Sequence, residues 1–223
     1  MLNADQELSK DALKLIGGLC RYASTLSAFG NMTAASFLRL VPHQEAPTKV
    51  CWGYSNRSAL IRVPLGWRNL DNLAMMVNPQ QKLKSEIMDS RQTVELRSPD
   101  GSANTHLLLA GMTTALLWAY RNPKEALELA EKNYVKGNIH DDSGLEERLT
   151  DIATSCVETA ETLSENRTLY TKDGYFPEEL IDKVIEMLTD QNDRGLNRRI
   201  AELPADEGEQ LAKDFIQKSL SSC

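Results

Sequence analysis

A chain of 223 residues is long enough for one sizeable domain, and 25 Lys and Arg against 32 Asp and Glu give it a net charge of −7 at neutral pH. That balance lacks the basic footprint of a general nucleic-acid binder, although local basic clusters can still hold phosphate groups. The four cysteines, Cys20, Cys51, Cys156 and Cys223, form no Cys-x-x-Cys pair, which argues against a zinc ribbon or redox dithiol and fits a reducing, cytoplasmic setting.

The first ten residues, MLNADQELSK, are polar and acidic and do not read as a signal peptide. Across residues 5–28, Leu8, Ala12, Leu15, Leu19, Tyr22 and Leu26 recur every three or four positions, predicting a helix with Asp5 at its cap. Gly17-Gly18 weakens its middle and would be explained by close packing on another element. Gly30-Asn31 ends it. Pro42 and Pro47 bracket a loop, His43 to Ala46, whose backbone freedom they limit. Residues 48–54 and 59–64 predict paired strands. Val50, Trp52 and Tyr54 fall on one side of the first. Leu60 and Arg62 share one side of the second, with Ile61 and Val63 on the other. Residues 65–91 interrupt this pattern; Trp67, Leu70, Leu73, Met75, Met76 and Val77 suggest that part of the stretch packs, as core filler or a subunit contact. A third strand is predicted over Gln92–Ser98, with Glu95 and Arg97 on the same face.

Residues 105–120 predict a helix capped by Asn104, apolar nearly all round and therefore central to the packing. Its run Leu107–Tyr120 is too short to span a membrane. Asn122-Pro123 breaks it, and a short amphipathic helix follows over Lys124–Asn133. His140, Asp141 and Asp142 read as a polar turn. Leu145, Leu149, Ile152, Cys156, Thr159 and Leu163 alternate four- and three-residue steps, a heptad seam on one long helix. Phe176-Pro177 opens another helix to about Asp190. Beyond it lies a polar tail, 191–223, where Leu211, Phe215 and Leu220 hint at a last short helix. The expected organisation is one domain over 1–190 followed by that tail.

Four arginines stand among these elements: Arg39, Arg57, Arg62 and Arg97. A guanidinium is always charged and makes planar, bidentate contacts with carboxylate or phosphate. Each one alone reads better as an ordinary surface cation, and Glu45 as a solvated loop carboxylate. Glu95 and Arg97 read equally as a surface ion pair of little worth. Arg57 and Arg62 are five residues apart and would share a face only through a turn or bulge near Ser58.

Three ordered stretches change that reading: RLVPHQEAP (Arg39–Pro47), NRSALIRVP (Asn56–Pro64) and VELRSPDGSAN (Val94–Asn104). They resemble the RLVPxxEAP, NRSAxIRxP and E-x-R-x-PD-x-SAN elements of the glutamine synthetase catalytic domain. Asn31–Arg39 follows that family's N-P-T-x-N-S-Y-x-R element, with Met32 for proline and Ala35 for asparagine. The resemblance implies an ATP-dependent ligase that joins ammonia to glutamate through a γ-glutamyl phosphate, using Mg2+ or Mn2+. It implies that Arg39 and Arg97 hold glutamate and that Glu45, on a flap, takes a proton from bound ammonium. Arg57 and Arg62 would face the transferring phosphoryl group and ATP, with Arg57 also touching substrate, and Glu95 would ligate the metal. The family's arginine two residues before that glutamate is replaced by Thr93. Arg91 stands two residues further back, and neither takes over the role. The family's other metal ligands and its N-terminal β-grasp domain lie upstream of these motifs, and nothing in the chain matches them. The chain is therefore expected to be the C-terminal part of the catalytic domain, inactive alone. Its parent would be a cytoplasmic homo-oligomer, a dodecamer by resemblance to bacterial members. The implied fold is α+β, an antiparallel sheet of at least three strands covered by helices. Two alternatives share the motifs: a γ-glutamyl ligase for another amine, and a non-catalytic helical interaction or regulatory protein on the same scaffold.

Overall fold

In a computed structural model the described residues are 7–41, 47–64, 78, 80, 92–139 and 143–220. Helices α1 (Lys10–Gly30) and α2 (Ala34–Arg39) come first, followed by strands β1 (Trp52–Tyr54), β2 (Ile61–Val63) and β3 (Glu95–Leu96). Then come α3 (Thr105–Arg121), α4 (Pro123–Lys132), α5 (Ser143–Arg148), α6 (Cys156–Glu165) and α7 (Thr168–Thr171). The last three are α8 (Glu178–Thr189), α9 (Leu196–Glu202) and α10 (Ala205–Leu220). Among the described residues no helix is long and apolar enough to cross a membrane.

The centre of the molecule is α1. Its start is set by Ser9, whose hydroxyl accepts from the Ala12 N–H at 3.2 Å. The Asp5 cap expected from sequence lies outside the described residues. Helix α1 is buried along most of its length and packs against α3, α4, α6 and α8. The glycine pair explains how close those helices come. A Cβ on Gly17 would overlap the Ala126 carbonyl oxygen of α4, and one on Gly18 would stand 2.5 Å from the Ala115 carbonyl oxygen of α3. The C-terminal end of α1 meets an aromatic cluster. Phe29 and Phe176 each lie 5.1 Å from the Tyr170 ring, whose hydroxyl is 2.8 Å from Thr25 Oγ1.

Three expectations need correction. Helix α3 is not central: only Gly111, Thr114, Ala115 and Ala119 are buried, while Leu109 is 56% exposed and Tyr120 49%. Its small residues take the close contact with α1, and several of its large ones point outward. The sheet is not wholly antiparallel. Strands β2 and β3 pair antiparallel, with Arg62 opposite Glu95, but β1 and β2 run parallel, with Trp52 opposite Ile61 and Tyr54 opposite Val63. A compact turn reverses the chain twice between them. Ser55 takes a left-handed φ of 51°, and Asn56 Oδ1 accepts from both Ser58 N at 2.9 Å and Ser58 Oγ at 2.7 Å. The other edge of Trp52 is occupied by residues 133–135: its N–H donates to the Asn133 carbonyl and its carbonyl accepts from Val135 N, both at 2.9 Å.

The heptad seam is the third correction. Helix α5 stops at Arg148 and α6 starts at Cys156 under a Ser155 cap. Between them the chain runs extended beside residues 48–50, with Val50 N on the Thr150 carbonyl at 2.8 Å and Ile152 N on the Thr48 carbonyl at 3.0 Å. Leu149 belongs to a small core with Cys51, Ala59, Val135 and Ile139, whereas Ile152, Cys156 and Leu163 join the main core around α1. The regular spacing thus comes from two separate cores. Helix α4 forms as expected, with Pro123 in its first turn, and α8 follows Pro177. The tail beyond residue 190 holds two helices, α9 and α10, that pack on α2. Apart from Asn78 and Gln80, the apolar stretch 65–91 lies outside the described residues, as do His140, Asp141 and Asp142.

Candidate functional site

The site is assembled where the end of α1 meets the loop before α3. Asp100 N donates to the Gly30 carbonyl at 3.1 Å and Asn104 N to the Phe29 carbonyl at 2.9 Å. The buried Asn31 amide donates to the Ser98 carbonyl at 2.7 Å and to Asp100 Oδ2 at 3.3 Å. Asp100 Oδ1 accepts from Ser102 N at 2.9 Å and Ser102 Oγ at 2.7 Å; that hydroxyl in turn accepts from Met32 N at 2.9 Å and lies 3.1 Å from Ser36 Oγ. Asn31 and Ser36, retained from the Asn31–Arg39 element, are therefore tied to Asp100, Ser102 and the Ser98 carbonyl of the VELRSPDGSAN stretch. They fix the SPDGSAN loop to α1 and α2. Asn104 then caps α3 through Leu107 N at 3.1 Å, as its position predicted.

On this frame the charged residues lie on β3 and in the segments beside it. Arg39, the last residue of α2, donates through Nη2 to the Ser98 carbonyl at 2.5 Å. Arg97, the neighbour of Ser98, donates from Nη1 to the Ala59 carbonyl at 3.0 Å and to the Arg57 carbonyl. Arg57 sits exposed in the Asn56–Ser58 turn. That turn is braced by Asn56 Nδ2 on the Gly137 carbonyl at 2.5 Å and by Ile139 N on Ser58 Oγ at 3.1 Å. Arg62 and Glu95 face each other across the β2–β3 ladder. The Arg62 Nε and Nη2 atoms both meet Glu95 Oε2, at 2.8 Å and 2.7 Å. The strand register alone dictates this pairing. Glu95 and Arg97 share a strand face, yet Glu95 takes Arg62 across the sheet and Arg97 turns to the carbonyls of the preceding turn.

Arg62 and the partly exposed Glu95 thus pair on the β2–β3 ladder, Arg97 directly follows β3 and holds the Asn56–Ser58 turn, and Arg39 reaches the backbone of the next residue, Ser98. Such a set suits oxyanions, carboxylate or phosphate. Glu95 fits a divalent cation as one ligand among several, because magnesium is held by one or two carboxylates with waters and phosphates completing the shell. Among the described residues no group of three or more His, Cys, Asp and Glu could hold a metal. Glu45 lies outside the described residues. Thr93 is exposed just before the glutamate's strand.

Sequence reasoning overlooked the groups that seat α2. Ala34 N donates to Gln191 Oε1 at 3.3 Å, and Asn197 Nδ2 donates to the Phe37 carbonyl at 2.8 Å. It also overlooked Asp193, buried to 1% exposure, which accepts from Cys156 N at 2.8 Å and Val157 N at 3.2 Å at the start of α6. The turn-forming run Gln191-Asn192-Asp193 was the one available signal, and Asn192 does adopt a φ of 50°.

A small sheet that carries an arginine–carboxylate pair, flanked by further arginines and backed by helices, defines an α+β domain. Comparison with known proteins places that domain in a family. The family model described as "Glutamine synthetase, catalytic domain" matches residues 1–200. Glutamine synthetase of Pyrococcus horikoshii is 37% identical over 133 residues, covering 60% of this chain and 25% of the relative. That of Thermococcus kodakarensis is 34% identical over 165 residues, 73% of this chain and 31% of the relative. That of Rhizobium meliloti is 32% identical over 181 residues, 81% of this chain and 33% of the relative. The chain belongs to the glutamine synthetase family, within its catalytic domain. It spans between 25% and 33% of the length of these three relatives.

Proposed function

We propose that this chain contributes the arginine-rich wall of an ATP-dependent ligase site that forms glutamine from glutamate and ammonia by way of γ-glutamyl phosphate. The observation that carries the reading is that residues of three separate motifs meet on and beside β3: Arg62 pairs with Glu95, Arg97 donates to the Arg57 carbonyl, and Arg39 donates to the Ser98 carbonyl next to Arg97. In phosphoryl transfer the protein supplies position and charge rather than covalent chemistry. Arg39 and Arg97, whose guanidiniums are held by backbone carbonyls, orient the glutamate carboxylate. Arg57 and Arg62 neutralise charge on the transferring phosphoryl group. Glu45 accepts a proton from ammonium, and the ammonia left attacks the γ-glutamyl carbonyl with phosphate as the leaving group. Glu95 is one ligand for Mg2+ or Mn2+, which when bound draws charge off the phosphates.

The 223 residues are expected not to turn over alone. A single carboxylate leaves most of a metal shell to other groups, and the chain covers a third or less of these relatives. The parent is expected to be a homo-oligomer. The test is γ-glutamyl hydroxamate formation from glutamate, hydroxylamine and ATP, run side by side with the 223-residue chain and with the whole protein that carries it. Turnover by the isolated chain would overturn the division of the site. In the whole protein Arg39→Ala should raise the KM for glutamate far more than it changes the KM for ATP.

A further inference from the structure

The family match ends at residue 200, inside α9, so all of α10 lies beyond it. The principal neighbours of α10 are α9 and α2, the short helix that ends in Arg39. Six residues cannot hold a helix by themselves, so the seat of α2 depends on what packs around it. Phe37 and Leu40 are each 2% exposed. The backbone of α2 is held near both ends by the segment leading into α10: Gln191 Oε1 takes the Ala34 N–H at 3.3 Å, and Asn197 takes the Phe37 carbonyl at 2.8 Å. Helix α10 itself is docked by one face. Gly208 and Ser219 are buried and Leu211, Ala212 and Phe215 half-buried, while Ile216 and Leu220 remain exposed. Phe215 lies under the Arg199 guanidinium of α9, 5.9 Å from ring centroid to carbon. Gly208 lets the two helices cross closely, since a Cβ there would stand 2.8 Å from the Ile200 carbonyl oxygen.

We propose that α10 is a positioning element for Arg39: docked on α2 and α9, it fixes the seat from which Arg39 addresses its anion. A helix held by one thin apolar face opens more readily than the α1 core. Opening would uncover α2 and α9 together, leaving α2 to its Gln191 and Asn197 tethers, and let the Arg39 guanidinium leave the Ser98 carbonyl. Asn197 therefore acts directly on α2 and Phe215 acts by holding α10 against α9, and neither is placed to touch substrate. This inference rests on the reading of Arg39 as a glutamate-carboxylate contact.

Hydrogen exchange on the 223-residue chain tests the mechanical half without any substrate. Phe215→Ala should speed exchange of the Leu38–Val41 amides by about tenfold, leave the middle of α1 unchanged, and be restored by Phe215→Leu. Asn197→Ala, which removes one hydrogen bond and leaves the apolar docking face intact, should act in the same direction if Phe215→Ala fails to fold. Faster exchange confined to α10, with α2 unchanged, would overturn the proposal. In the whole protein, Phe215→Ala should raise the KM for glutamate by roughly fivefold with kcat within about twofold. Equal loss of kcat and kcat/KM would contradict a positioning role. If Arg39→Ala leaves the glutamate KM unchanged while the α2 amides still respond to Phe215→Ala, it is the role of Arg39 that fails and not the mechanical coupling.

Discussion

Polar residues in this chain divide into those that hold the frame and those that the frame presents. Asp193 is of the first kind. It is almost wholly buried and accepts two N–H groups at the start of α6. Removing it leaves the buried Cys156 N–H and the part-buried Val157 N–H unpaired, so Asp193→Ala should cost about 1–3 kcal/mol of stability, read from urea unfolding. Glu95 and Arg62 are of the second kind. Their side chains are 37% and 28% exposed, and a partly solvated pair of this sort contributes only about 0.2–1 kcal/mol. A double-mutant cycle at 62 and 95 should return a coupling within that range, leaving Glu95→Ala folded and usable as a functional probe. The two kinds were unequally visible in the sequence. Asn104 could be read as a cap because it directly precedes its own helix. Asp193 serves a helix whose start lies 37 residues earlier in the chain, and no local pattern records that.

The same contrast holds for whole helices and strands. Helix α1 was legible from its apolar spacing, and its glycine pair correctly signalled close approach. Gly17→Ala should destabilise the chain by about 1–3 kcal/mol or more, because the added methyl meets the α4 backbone rather than a yielding side chain. A thermal midpoint unchanged in that variant would contradict the packing. Other elements were misread for physical reasons. The α3 sequence is apolar nearly all round, but periodicity cannot tell a central helix from one whose outer face stays open, and here the small residues face α1. The heptad spacing over 145–163 spans a break where the chain pairs with residues 48–50, a long-range contact invisible in the local pattern. Alternation marked β1 and β2 as strands without fixing their relative direction, which the Ser55–Ser58 turn decides. The candidate residues stand out in the sequence because they sit in motifs. Their partners do not, since Arg62–Glu95 follows from strand register and Arg39–Ser98 from the clasp at the end of α1.

For the molecule as a whole, three buried thiols set a limit on alkaline stability. Burial pushes Cys20, Cys51 and Cys156 upward, Cys51 to about 11, with the Asp193 carboxylate adding to the effect at Cys156. A folded-state pKa above the unfolded value of about 8.5 gives stability that is full below that value and is lost as pH rises toward the folded pKa. The melting temperature should therefore fall from about pH 9 upward, each thiol adding up to about 1.4 kcal/mol per pH unit. Cys51→Ala should flatten that slope up to about pH 11, and an identical slope would contradict the burial argument. The functional account rests on a different group, the Glu95 carboxylate that faces Arg62 across the β2–β3 ladder. Its most direct test is γ-glutamyl hydroxamate formation by the whole protein with ATP and Mg2+ or Mn2+, wild type against Glu95→Ala, with folding checked in both. Turnover that falls by a factor on the order of 100 or more in a folded Glu95→Ala variant is the expected result. Full turnover without that carboxylate, or none in the wild type, would contradict the assignment.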